Sequence, residues 1–167
     1  MKILISGSEQ KYSLASSFAR AFVGLDQEII CFPDEEIYSR SFPVLKNKIT
    51  NKIFWRFFSL PLNNLFVGLV ERERPDLILV CKGQFFSDKT IYKIKNILPD
   101  VKIFNYAPDD FKNPLNTSKR LLKSLLAYDL IFTPRKFAVS EIMKLGIKRA
   151  LYLPFGLDNY LHFPVLG

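Results

Sequence analysis

Two adjacent carboxylates, Asp109 and Asp110, follow the apolar run Val101 to Tyr106 and the turn Ala107-Pro108. Carboxylates at the end of a strand accept sugar hydroxyls or take a proton from an acceptor, and equally they cap a turn or helix that follows. Lys82 and Arg135 come after two other apolar runs, Leu77 to Cys81 and Leu130 to Thr133. There an ammonium and a guanidinium clamp phosphate groups, Arg through paired hydrogen bonds, or they stand as solvated surface charge. Gly7 follows Ile3 to Ile5, where a missing side chain lets backbone amides approach a phosphate or sugar, or simply makes the turn. Phe155 and Gly156 follow the last run, Ala150 to Leu153. The sole histidine, His162, titrates near neutral pH, but its place after Asp158 points to a linker and not to a catalytic base.

These groups share one property: each comes just after an apolar run of strand length. The runs are Ile3 to Ile5, Glu28 to Phe32, Leu77 to Cys81, Val101 to Tyr106, Leu130 to Thr133 and Ala150 to Leu153. Between them lie helical patterns: Leu14, Phe18, Ala21, Phe22 and Leu25; Ile91, Ile94 and Leu98; Ser118 to Ala127; and Lys136 to Leu145, stopped by Gly146. Strands alternating with helices require parallel pairing through right-handed crossovers. The fold class is therefore α/β, a doubly wound parallel sheet of Rossmann-like type with expected order 3-2-1-4-5-6. Ligands of such sheets bind outside the carboxyl ends of the strands, here where the order reverses between the first and fourth. That rule nominates Gly7, Lys82, Asp109, Asp110, Arg135, Phe155 and Gly156 as site residues. Val80 and Phe104 are expected inside the sheet.

One stretch, residues 37–73, is too long for a simple crossover and reads as a helical insertion of two helices meeting near Pro61, since proline lacks the interior N–H. Within it, Lys46 to Phe58 interleaves Lys46, Lys48, Lys52 and Arg56 with Trp55 and phenylalanines and carries no acidic residue. Such a helix lies on an anionic membrane surface or packs an apolar stripe in the core.

Composition narrows the function classes. The 24 Lys and Arg against 16 Asp and Glu leave +8, which favours anionic partners. No nucleic-acid motif accompanies that charge, and such binding would have to fall steeply with salt. Cys31 and Cys81 lie in apolar runs and read as small buried hydrophobes, which suits a reducing cytoplasm. One histidine and no Cys/His cluster argue against zinc. No G-x-G-x-x-G follows the first strand, so no dinucleotide cofactor is expected. No signal peptide or run of about 18 apolar residues appears.

The stretch from Asp76 to Val165 resembles the N-terminal half of the CgeB-like spore-maturation glycosyltransferases, a branch of the retaining GT-B enzymes. The resemblance rests on Asp76-Leu77-Ile78-Leu79-Val80-Cys81-Lys82-Gly83, Asn105-Tyr106-Ala107-Pro108-Asp109-Asp110, Ser118-Lys119-Arg120-Leu121-Leu122, Tyr128 to Arg135, and Leu153-Pro154-Phe155-Gly156-Leu157-Asp158 through His162 and Pro164. It implies that residues 1–167 form the N-terminal, acceptor-side domain of a GT-B fold, that the C-terminal donor domain lies outside the chain, and that the Pro-Phe-Gly-x-Asp strand end leads into the interdomain linker. The paired glutamates of retaining members belong to that second domain, so the eight-residue separation of Glu28 and Glu36 is a coincidence. The expected function is transfer of a sugar from a nucleotide-sugar donor to an unidentified acceptor, with the isolated domain inactive. A stand-alone Rossmann-like binding or regulatory module and a basic nucleic-acid-binding protein are the alternatives.

Overall fold

The computed structural model describes residues 1–41, 48–110, 113 and 117–162, with residues 41 and 48–58 described by their backbone alone. Six strands are present among them: β1 (Lys2–Ser6), β2 (Glu28–Phe32), β3 (Leu77–Cys81), β4 (Lys102–Tyr106), β5 (Leu130–Thr133) and β6 (Ala150–Tyr152). The helices are α1 (Leu14–Val23), α2 (Asp34–Ser41), α3 (Lys48–Glu73), α4 (Asp88–Ile97), α5 (Lys119–Leu125) and α6 (Ala138–Lys144). Local chemistry sets the starts of three of them. Ser13, Ser87 and Ser118 sit at the N-caps of α1, α4 and α5, and each hydroxyl accepts the amide three residues on. Gly146, at φ 88°, ends α6 in the left-handed conformation that a side chain would disfavour.

All strands pair in parallel, which bears out the α/β doubly wound reading, but the order is β2-β1-β3-β4-β5-β6. The expected 3-2-1-4-5-6 is therefore corrected: the third strand crosses back over β1, and the order reverses between β1 and β3. The burial of the two strands gives the reason. Leu77–Cys81 is buried at four of five positions, as a central strand requires, whereas Glu28–Phe32 is buried only at Phe32, as fits an edge. Long α3 spans the return. It runs unbroken through Pro61, so two helices do not meet there. Leu62, Phe66, Val67 and Val70, each at most 4% exposed, anchor α3 on the sheet. At about 1.5–3 kcal/mol per fully buried apolar side chain, that packing outweighs the single hydrogen bond lost at Pro61.

The two faces are covered unequally. Helices α2 to α6 lie on one face, over Leu4, Ile78, Val80, Ile103 and Ile131. Among the described helices only α1, through Leu14, Ala15, Phe18 and Phe22, covers the other, over Ile3, Ile5, Leu79, Cys81 and Tyr106. Val80 is fully buried as expected, but Phe104 is only half-buried, because α1 does not reach across β4 and β5. It packs edge-on against half-buried Phe132, ring centroids 5.8 Å apart. Cys31 is likewise exposed on edge strand β2, contrary to its reading as a core residue, while Cys81 is buried.

Candidate functional site

Parallel strands joined by helices deliver every strand end to one edge, and that edge carries Gly7, Lys82, Asp109, Asp110 and Arg135. The reversal of strand order places Gly7 and Lys82, after β1 and β3, on its two sides. Gly7 has φ 153°, and its amide donates to the Phe32 carbonyl at 3.2 Å. A Cβ there would lie 2.7 Å from Ala15 Cβ and 3.1 Å from Cys81 Cβ. The glycine thus lets α1 pack closely on the sheet. Two donors of the loop that follows are also engaged: Ser8 Oγ and the Glu9 amide both donate to Glu36 Oε1, at 2.5 and 3.1 Å. The chain supplies its own anion where a phosphate would sit.

After β3 the backbone makes a tight turn. Lys82 has φ 64°, and the Gly83 amide returns to the Cys81 carbonyl at 2.8 Å, the pattern of a strained γ-turn. Gly83, at φ 78°, seals it: a Cβ there would meet Asn105 Nδ2 at 2.8 Å and Tyr128 Oη at 3.1 Å. The loop is held from below by buried Asn63, whose Nδ2 donates to the Phe85 carbonyl at 2.9 Å and whose Oδ1 accepts the Ser87 amide at 3.2 Å. Arg120 Nη2 donates to the same carbonyl at 3.1 Å. From this fixed turn Lys82 Nζ reaches Glu35 Oε1 at 3.0 Å. Burial works to lower the Lys82 pKa, but the Glu35 hydrogen bond and the charges of Glu35, Asp109 and Asp34 together raise it, so the ammonium persists.

The opposite charge to Lys82 comes largely from the first turn of α2, whose acids are not among the residues that the sequence nominates. Asp34 is 1% exposed; its Oδ2 accepts the Ser6 hydroxyl at 2.9 Å, and its Oδ1 has no hydrogen-bond partner. Burial pushes its carboxyl up to about 7 against the Ser6 hydrogen bond, with the charges of Glu35 and Glu36 acting in the same direction as burial. The available signal was an acidic residue placed directly after a strand that ends at Pro33.

Arg135 lies after β5. Its Nε donates to the Pro108 carbonyl at 3.2 Å, and its Nη1 is 3.8 Å from Asp110 Oδ2. It therefore braces the loop of the carboxylate pair, and both cations nominated as phosphate clamps already face carboxylates. The side chains of the Lys46 to Phe58 stretch, on which membrane contact was expected, lie outside the described residues. No helix among the described residues is long and apolar enough to cross a membrane, and no group of three or more metal-ligating side chains occurs among them.

Phe155 and Gly156 are placed elsewhere. They line a cleft of about 1120 Å³ between α1 and residues 153–162, whose walls include Tyr12, Phe18, Tyr106 and Tyr160. Tyr106 Oη donates to the Leu153 carbonyl at 3.0 Å, and Arg20 binds Asp158 through Nε at 3.1 Å and through Nη2. Hydrogen bonds from Arg20 and Ser17 hold the Asp158 carboxyl well below the usual carboxylate range. His162 Nδ1 is 3.2 Å from the Asp158 amide and so closes the turn of this segment. None of Gly7, Lys82, Asp109, Asp110 or Arg135 lines the cleft. The nominated site thus divides into a charged edge and an aromatic cleft. The chain matches no protein-family model and no curated protein.

Proposed function

We propose that this chain is the acceptor-side Rossmann-like domain of a two-domain glycosyltransferase of the CgeB-like kind, inactive alone. The observation that carries the reading is the convergence of Lys82, Asp109, Asp110 and Arg135 on one carboxyl edge, next to the reversal of strand order. Those residues belong to the sequence blocks that resemble the family. In this reading Asp109 accepts the hydroxyl of the acceptor and draws off its proton as the glycosidic bond forms. Lys82, held charged by Glu35, balances negative charge at the edge. The donor nucleotide sugar is held chiefly by the partner domain.

The test is transfer of labelled sugar from a panel of nucleotide sugars, measured for the purified chain and for the product of its complete reading frame. The reading expects none from the chain and transfer from the longer product. There Asp109→Ala should lower kcat at least tenfold, about 1.4 kcal/mol or more of transition-state stabilisation, with donor Kd unchanged. Lys82→Ala should weaken the phosphate-bearing substrate most at low salt. Turnover by the chain alone, or wild-type kinetics in both variants of the longer product, overturns the reading.

A further inference from the structure

The aromatic cleft is not explained by the charged edge. Three of its rings are mostly exposed: Tyr12 at 77%, Phe155 at 63% and Tyr160 at 60%. Tyr106 forms a buried floor whose ring centroid lies 6.1 Å from that of Phe155. Lys11 stands beside this group, its Nζ 5.0 Å from the Tyr160 ring centroid and 5.6 Å from that of Tyr12. The Arg20 guanidinium lies 5.2 Å from the Tyr160 centroid but is taken by Asp158. Lys11 forms no ion pair among the described residues, so it is the cation left to meet a ligand.

We propose that this cleft binds a ring-bearing organic anion of the nucleotide class, the flat ring against the exposed aromatic faces and the phosphate on Lys11. The chemistry follows from the parts. Aromatic side chains at an open surface stack any planar base, and the Lys11 ammonium at the rim selects an anionic one. A purely apolar ligand would leave Lys11 unused, and a bare anion would leave the rings unused. Arg20, fixed on Asp158, holds residues 153–162 against α1 and keeps Phe155 and Tyr160 in place; it is a positioning residue. The site stands whether or not the charged edge transfers sugar.

The experiment uses this chain alone. Uridine and adenosine monophosphate, ribose 5-phosphate and inorganic phosphate are titrated by calorimetry at two salt concentrations, with amide chemical shifts locating the site. The nucleotides should bind at least tenfold more tightly than ribose 5-phosphate or inorganic phosphate. Tyr160→Leu should weaken them roughly fivefold or more, the range expected for loss of one stacking ring. Lys11→Met should weaken them similarly and flatten the salt dependence, and Lys148→Met, at an exposed position away from the cleft, should change nothing. Tyr12→Leu keeps the test sound if Tyr160→Leu loosens the segment. No binding, equal affinity for inorganic phosphate or ribose 5-phosphate, or nucleotide binding that Lys11→Met and both tyrosine variants leave intact overturns the proposal. Because no transfer is measured, failure here is distinct from failure of the glycosyltransferase reading.

Discussion

Asp34→Asn isolates the buried carboxyl beside the reversal of strand order. In the folded chain Asp34 is 1% exposed, with Ser6 Oγ on one oxygen and no partner on the other. Burial holds its pKa at about 7, against the ordinary 3.8. Between those values the folded state keeps a proton that the unfolded chain releases. This group's stabilisation is therefore complete below about pH 3.8 and is lost as pH rises to about 7. The loss is at most about 4 kcal/mol at roughly 1.36 kcal/mol per pH unit. Asparagine is neutral throughout, and its Oδ1 accepts the Ser6 hydroxyl as the aspartate does. Its amide, placed where Oδ1 of Asp34 finds no partner, costs about 1–3 kcal/mol, but equally at every pH. That cost cancels in the difference between two pH values. Urea unfolding of both proteins at pH 4, 6, 7 and 8 should show the variant gaining on the wild type by up to about 4 kcal/mol across the range. Glu35, Glu36, Cys81, Lys82 and Tyr128, the other titratable groups around Asp34, are common to both proteins. Parallel stability curves, differing by under about 1 kcal/mol between pH 4 and 8, would refute the reasoning.

Gly7→Ala should destabilise by about 2–4 kcal/mol, because its Cβ enters the 2.7 Å space before Ala15 at an unfavourable φ. Ala15→Gly in the same chain should recover part of that loss, and an unchanged urea midpoint for Gly7→Ala alone would contradict the packing role. Asn63→Leu should cost about 2–4 kcal/mol, since it strips the Phe85 carbonyl and Ser87 amide of a buried partner. The same change should shift the amide resonances of Lys82 and Gly83, whose loop it supports. Arg20→Ala should release residues 153–162 from α1, seen as new protease cleavage there with the melting temperature of the sheet unchanged. Cleavage no faster than in the wild type would show that Tyr106 and Phe155 hold the segment without the ion pair.

What the sequence alone determined is local. The strands Glu28–Phe32, Leu77–Cys81 and Leu130–Thr133 stand where the apolar runs placed them, because a run bounded by proline, glycine and aspartate fixes its own limits. Parallel pairing followed from the alternation with helices, and with it the placement of Lys82, Asp109 and Arg135 on a common edge. What the tertiary structure decided depends on which distant element arrives as a neighbour. Strand order was settled by the burial of β3 against β1, and the continuity of α3 through Pro61 by its packing on the sheet. Phe104 and Cys31 carry the residue types of a core, yet α1, which alone among the described helices lies on their face, leaves Phe104 half-buried and Cys31 exposed. Asp34 and Glu36 look like ordinary surface acids in sequence, and only the fold buries one and sets the other into the loop after β1. Phe155 left the charged edge for the cleft because Arg20 and Tyr106, far away in the chain, draw its segment onto α1. Periodicity reports the environment a residue's own segment prefers, whereas burial, charge and pairing are set by segments tens of residues away.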